Sequence, residues 1–310
     1  MASISYALYS TSNSEYQSWQ CELLDATFRW VGQPGRLVRL CSEDPAQPTR
    51  LFDSSETAEV LCLPSWAENE ATGDFWPIAN KPASMKLWLE SDSCARDADV
   101  ILFLDPDMVF LEPVELDVSP GEVVGQRWVD ERIETHFRWE RYGAHVKQRI
   151  TRDSIVMYPF CATVGDMRCI VDRFIEISQV IRDGSPDCWE ADMYGLVIAM
   201  LEAGLDVRTR DDLGVCNNWA GHRDRLPKII HYSSSMLDHA GKRLWHKQDY
   251  TAPTRVRPWQ RPPLPTSATN AVESRLLEII HEHVDRQERV AKSQSRFAWE
   301  RQTGASSDSE

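Results

Sequence analysis

The amino-acid sequence predicts an α/β protein whose open, mostly parallel sheet is flanked by helices. The apolar run from Val100 to Leu104 is typical of a central strand that is covered on both faces. An apolar run at 4–9 is followed by a polar loop and a segment with helical spacing that stops at Pro34-Gly35, which is a strand-loop-helix unit. Further short apolar runs and amphipathic segments follow. Together these patterns predict a Rossmann-like sheet.

The remaining elements are predicted from periodicity and from turn residues. Ser14 or Asn13 can cap the first helix, and Pro82 lies where a first helical turn tolerates proline. Further strands are predicted at 36–41, 59–63, 108–111, 122–128, 154–160 and 227–233. Further helices are predicted at 83–90, 164–181, 189–204 and 271–284, the last being a C-terminal helical extension.

The domain organisation follows from the length and from a proline-rich segment. A chain of 310 residues can form one large α/β domain with extensions or two small domains. We predict a main domain at 1–257, a proline-rich linker with a packed helix at 258–288, and a polar, disordered tail at 289–310.

Composition excludes several classes of protein. A formal charge of -14 argues against a nucleic-acid partner, which needs a basic surface. The eight cysteines include no Cys-x-x-Cys pair, so neither a zinc site nor a disulfide framework is indicated. The sequence has no signal peptide and no apolar run of membrane-spanning length, so we expect a soluble, cytoplasmic protein with no membrane partner. The glycine-rich fingerprints of dinucleotide-binding and P-loop proteins do not occur.

Two carboxylates follow the central strand, in Asp105-Pro106-Asp107. Because two buried acidic groups repel each other, a positive charge is expected between them. An Asp-x-Asp pair at a strand end can hold a divalent metal ion while a diphosphate supplies further oxygens. The alternative is an ordinary turn whose carboxylates lie in water.

A third metal ligand is available where the last predicted strand ends, at His231. A histidine on a strand is often structural, but imidazole is also a common metal ligand. Asp105, Asp107 and His231 would form a set for Mn²⁺ or Mg²⁺, of which Mn²⁺ tolerates the nitrogen better.

Further basic and acidic residues are candidates for the same site, two groups of them near predicted helix starts. Lys81 precedes a helix and could meet an anion there, although a solvent-facing lysine is the alternative. A basic cluster that includes Lys242 and Lys247 could close over a diphosphate. Glu190 and Asp192 open another helix, where acidic residues commonly serve only the helix dipole. Over the strand ends, either could instead face an acceptor.

Several short motifs occur in an order that resembles the peptidyl hydroxyproline and serine O-arabinosyltransferases of plants. The resemblance covers roughly residues 5–285 and rests on Ser14-Glu15-Tyr16-Gln17-Ser18-Trp19-Gln20, Asn80-Lys81-Pro82, Asp105-Pro106-Asp107, Trp189 to Tyr194 and Ile229-Ile230-His231-Tyr232. It implies a GT-A type glycosyltransferase fold, a UDP-arabinofuranose donor and a divalent metal. It also implies that Asp105, Asp107 and His231 bind the metal.

The resemblance gives each candidate residue an expected role. Asp192, with Glu190 beside it, is expected at the reacting sugar as the catalytic group. Contacts to the nucleotide sugar are expected from Tyr9, Thr11, Asp53, Asn80, Lys81, Lys86, Asp105, Pro106, Lys242 and Lys247. The chain departs from the plant pattern in its acidic motif and in residues 129–150, which could form an acceptor-binding insertion or a surface helix.

We therefore expect a metal-dependent glycosyltransferase that moves a pentose from a UDP-sugar to a hydroxyl acceptor, which could be a peptide, a natural product or a glycan, with retention of anomeric configuration. One alternative is a metal-dependent nucleotidyltransferase, although the glycine-rich phosphate loop of that class is absent from the sequence. A second alternative is a non-catalytic protein that binds sugar nucleotides.

Overall fold

The computed structural model describes residues 4–43, 55–91, 95–128, 148–151, 153–216, 226–238, 240–250, 264–267 and 270–303. The strands are β1 Ile4–Ser12, β2 Arg36–Ser42, β3 Glu59–Leu63, β4 Glu68–Asn69, β5 Asp74–Phe75, β6 Val100–Leu104, β7 Met108–Phe110, β8 Glu122–Arg127, β9 Val156–Thr163, β10 Asp206–Arg210, β11 Gly214–Cys216, β12 Ile229–His231, β13 Met236–Leu237 and β14 Arg243–Trp245. The α-helices are α1 Glu15–Trp30, α2 Asn80–Glu90, α3 Val164–Gly184, α4 Ala191–Glu202 and α5 Ala271–Thr303.

Seven strands form one open sheet in the order β10-β8-β9-β6-β1-β2-β3. The pairs β10–β8, β6–β1, β1–β2 and β2–β3 are parallel. Strand β9 runs antiparallel to both of its neighbours, β6 and β8. The predicted α/β class and the open, mostly parallel sheet are therefore confirmed.

Helices cover both faces of this sheet. Successive side chains of a strand point to opposite faces. The Tyr9 hydroxyl donates a hydrogen bond to Asp25 of α1 (2.6 Å), whereas Ser10 accepts one from Ser84 of α2 (3.0 Å). Helices α1 and α2 therefore lie on opposite faces, and the central strand β6 between them is fully buried, as its continuous apolar run predicts.

Helices α3 and α4 pack closely because a glycine lies at their contact. A Cβ atom added to Gly195 of α4 would lie 2.1 Å from Ser178 Oγ of α3, so no larger residue fits there without movement. Thr163 caps α3 by accepting a hydrogen bond from the Asp166 amide. The close packing fixes the first turn of α4, which carries Asp192.

A second, three-stranded sheet has the order β11-β12-β7. Strand β12 runs antiparallel to β7, with His231 opposite Met108. The Tyr232 amide also donates to the Asp107 carbonyl oxygen at 3.0 Å. This pairing brings the end of β12 beside the turn that joins β6 to β7.

A second hydrophobic core lies between the three-stranded sheet, α1 and α5. Its buried members are Trp19, Leu23, Val109, Val215, Ile230, Tyr232, Met236, Trp245, Val272, Leu276, Leu277, Ile279 and Ile280. The C-terminal helix therefore packs on the domain, in the way that the sequence predicts for residues 271–284.

Helix α5 is longer than the sequence analysis predicts. It continues to Thr303, through most of the segment expected to be a disordered tail from 289. The sequence contains neither glycine nor proline from Ala271 to Thr303, so nothing in it terminates the helix before Gly304. Residues 258–263 of the predicted linker and 304–310 of the predicted tail lie outside the described residues. Of the helices that the structure describes, none is both long enough and apolar enough to span a bilayer.

Candidate functional site

The two carboxylates of the acidic turn are buried where β6 ends. Asp105 follows Leu104 directly, and Asp107 precedes β7. Both are less than one-tenth exposed, and Pro106 between them is buried as well. The structure thus places the pair inside the protein and not in a solvated turn.

His231 faces both carboxylates from β12. Its Nε2 atom lies 3.2 Å from Asp107 Oδ1 and 3.7 Å from Asp105 Oδ2. One ligand atom from each of the three residues can be chosen so that all lie within 4.8 Å of one another. On the other side of the ring, Nδ1 lies 3.8 Å from the Cys216 thiol. The predicted set of three side chains is therefore brought together.

Two lysines neutralise the carboxylates. Lys81, in the first turn of α2, has its Nζ atom 2.6 Å from Asp105 Oδ1. Lys247, in the 3-10 turn Lys247–Tyr250, forms an ion pair and a hydrogen bond with Asp107 Oδ2. We call Asp105, Asp107, His231, Lys81 and Lys247 the aspartate cluster.

The charges of the aspartate cluster shift one another's pKa values. Burial disfavours the ionised carboxylate of Asp107, but the charges of Lys247 and His231 outweigh burial and hold its pKa well below the usual value. Burial also opposes protonation of His231, yet the charge of Asp107 raises the pKa of His231 to about 10. Burial also disfavours the protonated form of Lys81, but the charges of Asp105 and Asp192 outweigh burial and raise its pKa. Without a metal ion, His231 and Lys81 are therefore protonated at neutral pH.

Asp192 joins this group from the first turn of α4. Its carboxylate is 1% exposed, accepts a hydrogen bond from the Tyr158 hydroxyl at 2.9 Å, and lies 3.5 Å from Lys81 Nζ. Lys81 Nζ also lies 4.3 Å from the centroid of the Tyr158 ring, a cation–π contact. Burial raises the pKa of Asp192 although the charge of Lys81 opposes it. Lys81 therefore contacts both Asp105 and Asp192, whereas Glu190, also expected at the reacting sugar, is half-buried just before α4.

The residues of the aspartate cluster fit a divalent metal ion. Asp105 Oδ1 is buried and its close partner is the Lys81 ammonium at 2.6 Å, a cation on a flexible side chain that a metal ion could replace. Two buried carboxylates beside an imidazole are a donor set suited to Mn²⁺ or Mg²⁺. The set of two oxygens and one nitrogen leaves the remaining coordination positions for a ligand or for water.

A second buried charge cluster lies nearby, between α1, β1 and β2. Arg39 donates to Asp25 Oδ2 (2.5 Å) and to the Tyr9 hydroxyl (2.6 Å), and Ser55 donates to Asp25 Oδ2 (2.9 Å). We call Tyr9, Asp25, Arg39 and Ser55 the arginine cluster. Tyr9, expected to contact the nucleotide, is fully buried, and its hydroxyl is engaged within this cluster.

The other residues expected to contact the donor are spread over several elements of the fold and differ in burial. Thr11 is buried at the end of β1 and bonds Gln17 at 2.7 Å, and Asn80 is buried and accepts from the Trp66 amide at 2.6 Å. Lys86 pairs instead with Asp172 (2.6 Å), and Lys242 is exposed between β13 and β14. Asp53 lies outside the described residues, as do 129–147 of the possible acceptor insertion.

Sequence reasoning missed Tyr158, Cys216 and the arginine cluster. Tyr158 belongs to a buried strand, where an aromatic residue resembles any other core residue. Arg39 did carry a signal, because an arginine inside Leu37-Val38-Arg39-Leu40-Cys41 must find a buried partner. Nothing in the sequence indicates that this partner is Asp25.

The chain is similar in sequence to two proteins that carry the same name. No protein-family model matches it. Over 290 residues, 84% of the chain, it is 25% identical to a peptidyl serine alpha-galactosyltransferase of Arabidopsis thaliana. Over 130 residues, 40% of the chain, it is 29% identical to a peptidyl serine alpha-galactosyltransferase of Chlamydomonas reinhardtii.

The chain spans only part of these relatives, 34% of the length of the Arabidopsis protein and 17% of the Chlamydomonas protein. Among solved structures, the galactosyltransferase LgtC in complex with donor and acceptor sugar analogs shows a TM-score of 0.45 and 14% identity, over 81% of this chain and 92% of that chain. The relatives identified by sequence are thus named for the transfer of a sugar to a peptide.

Proposed function

We propose that this chain is a metal-dependent glycosyltransferase with a GT-A type fold that takes its sugar from a nucleoside diphosphate. The observation that carries the proposal is the convergence of Asp105, Asp107 and His231 at the strand ends, with two lysines beside them. The names of the sequence relatives point to the same class of reaction.

The arrangement suits the departure of a diphosphate. Asp105, Asp107 and His231 would hold the divalent cation, which supplies positive charge against the negative charge that grows on the leaving group. Lys81 and Lys247 each pair with one of these carboxylates and could each turn to a phosphate oxygen instead. Asp192 and Tyr158 would keep Lys81 in place during that exchange.

The identities of the donor sugar and of the acceptor are narrower proposals. The sequence motifs favour UDP-arabinofuranose, whereas the relatives are named for galactose, so both UDP-sugars are candidates. A peptide hydroxyl is the acceptor that the relatives' names favour. The retained anomeric configuration, the preference for Mn²⁺ and the cytoplasmic location stay predictions from sequence.

Thermal unfolding in the presence of ligands tests the proposal directly. UDP with Mn²⁺ or Mg²⁺ should raise the stability of the protein by about 2.7 kcal/mol at a hundredfold excess over Kd, and a chelator should abolish the effect. Release of UDP from UDP-galactose and UDP-arabinofuranose would then identify the donor. No stabilisation by any uridine nucleotide would contradict the proposal, and release of pyrophosphate from UTP and a sugar 1-phosphate would indicate a nucleotidyltransferase.

A further inference from the structure

A short hairpin beside the candidate site exposes large aromatic side chains. Strands β4 and β5 form this hairpin, and we call residues 66–76 the aromatic hairpin. Phe75 is 67% exposed and Trp66 is 44% exposed, whereas Trp76 is buried. Trp189, in the loop before α4, is 56% exposed. Large aromatic residues exposed together commonly mark a binding surface.

We assign Trp66 and Phe75 to the same face of the hairpin. Phe75 lies opposite Glu68, and the Trp76 amide donates to the Ala67 carbonyl oxygen at 2.7 Å. Trp66 precedes β4 and is exposed like Glu68 and Phe75, so we assign all three to the outer face. The inner face carries Ala67 and Trp76, which are buried.

Two hydrogen bonds fasten the aromatic hairpin to segments on both sides of the candidate site. The Trp66 amide donates to Asn80 Oδ1 at 2.6 Å, and Asn80 directly precedes Lys81 of the aspartate cluster. The Trp76 indole donates to the Trp189 carbonyl oxygen at 3.3 Å, three residues before Asp192. The outer face is thus held at a fixed position beside the groups that would carry the chemistry.

This surface is also negatively charged. Residues 64–76 and 183–192 include no lysine or arginine, and their exposed or half-buried acidic members are Glu68, Glu70, Asp74, Asp183, Asp187 and Glu190. The adjacent Arg182 is engaged by Asp74 through two hydrogen bonds of 2.7 and 2.9 Å. Aromatic rings surrounded by carboxylates attract cations through both cation–π contacts and ion pairs.

We propose that the aromatic hairpin binds the acceptor, a positively charged peptide segment that carries lysine or arginine next to its reactive hydroxyl. The proposal rests on the proposed function, since it names the acceptor of that reaction. Phe75 and Trp66 contact the peptide by stacking, and Glu68 and Glu70 pair with its cations. The hydrogen bond from the Trp66 amide to Asn80, the neighbour of Lys81, places the hairpin next to the start of α2, from which a flexible cationic segment would extend to the aspartate cluster.

The test measures binding of a fluorescent peptide of alternating lysine and serine to the full chain, in the presence of UDP and Mn²⁺. A peptide with glutamate in place of lysine and a neutral galactan oligosaccharide are measured in parallel. The lysine peptide should bind, the glutamate peptide should not, and affinity should fall at least about fivefold between about 50 and 200 mM NaCl.

Substitutions on the outer face identify the site. Phe75→Ala and Trp66→Ala should each weaken peptide binding at least about fivefold, and Glu68→Gln should weaken it and reduce its dependence on salt. Val290→Ala is the matched control, because it removes a side chain of similar exposure (56%) from α5. Thermal unfolding of each variant verifies folding.

Affinity for UDP, measured on the same samples, separates the two proposals. If UDP binds but Phe75→Ala and Trp66→Ala hold the peptide as wild type does, the aromatic hairpin is not the acceptor site. Equal binding of the glutamate peptide, or binding of the oligosaccharide alone, would also overturn the inference while leaving the glycosyltransferase proposal intact. Failure of wild type to bind UDP would overturn the proposed function, and the inference with it.

Discussion

The arginine cluster and the aspartate cluster are both buried and both combine acidic with basic side chains, yet they are built differently. In the arginine cluster, one carboxylate meets one guanidinium, and Tyr9 and Ser55 complete the hydrogen bonds of Asp25. In the aspartate cluster, two carboxylates and an imidazole converge within 4.8 Å, and each carboxylate is paired with a lysine on a flexible side chain.

This difference indicates what each cluster is for. A buried pair with complete hydrogen bonding holds elements together, and nothing is gained by opening it. In the aspartate cluster, the lysines and the protonated imidazole that neutralise the carboxylates can be exchanged for a cation that a ligand brings, and groups with strongly shifted pKa values concentrate at functional sites. The two clusters should therefore respond differently to the loss of one carboxylate.

The largest effect is expected from Asp25→Ala in the arginine cluster. Removal of the carboxylate leaves the Arg39 guanidinium, whose side chain is 5% exposed, with an uncompensated buried charge. Urea denaturation should show a loss of about 3–5 kcal/mol in the free energy of unfolding. Ser55→Ala, which removes one hydrogen bond, should cost only about 1 kcal/mol. A loss below about 1 kcal/mol for Asp25→Ala would contradict the structural role of the cluster.

Asp107→Asn should have the opposite profile. The unfolding free energy should fall, because the charge of Asp107 stabilises protonated His231 in the folded protein. The loss should be smaller than in Asp25→Ala, because His231 can lose its proton and Lys247 can turn to solvent on its flexible side chain. Titration calorimetry should show that the metal-dependent affinity for UDP falls by at least about 100-fold. If Asp107→Asn lost as much stability as Asp25→Ala and yet bound UDP with wild-type affinity under native conditions, the two clusters would be equivalent. That result would refute the comparison.

The pH dependence of metal binding sharpens the comparison further. Since the pKa of His231 is raised to about 10, the ring carries a proton at neutral pH, and a metal ion must displace it. Affinity for Mn²⁺ should therefore rise with pH, about tenfold per unit between about pH 6.5 and 8.5. His231→Gln should remove this slope. If the affinity of His231→Gln for Mn²⁺ rose as steeply with pH, the proton that the metal displaces would belong to another group.

The smallest effect is expected from Lys247→Met, which keeps the length of the side chain and removes its charge. Without nucleotide, affinity for Mn²⁺ should increase about fivefold, because the ammonium no longer competes for Asp107. Affinity for UDP in the presence of Mn²⁺ should decrease, because a phosphate partner is lost. Weaker binding of Mn²⁺ by Lys247→Met would show that Lys247 supports the metal site.

The sequence predicts the sheet and the acidic turn because both depend on local patterns. The apolar run before Asp105 specifies a buried strand, and the residues that follow a strand must lie at its end. His231 was predicted to meet the two aspartates on the same basis, since it ends another strand. The metal role of these three residues stays a prediction, as do the catalytic roles of Asp192 and Glu190.

Side-chain partners over long separations could not be predicted in the same way. Lys86 and Lys81 lie on the same helix, yet Lys81 faces Asp105 while Lys86 pairs with Asp172 of α3. The position of each lysine around the helix axis decides which partner it meets. The sequence does not indicate which element will lie against each side of the helix. Tyr158 is a further case, because only the packing of α4 against β9 brings Asp192 to its hydroxyl.

The pairing of β7 with β12 also sets when the metal site can exist during synthesis. Asp105 and Asp107 leave the ribosome more than a hundred residues before His231, at a rate of about 5–20 residues per second. Until β12 emerges and pairs with β7, the nascent chain carries two carboxylates without their third ligand. A metal ion held by all three residues therefore cannot guide the folding of the segments that precede β12, and the site is completed only after more than a hundred further residues have been synthesised.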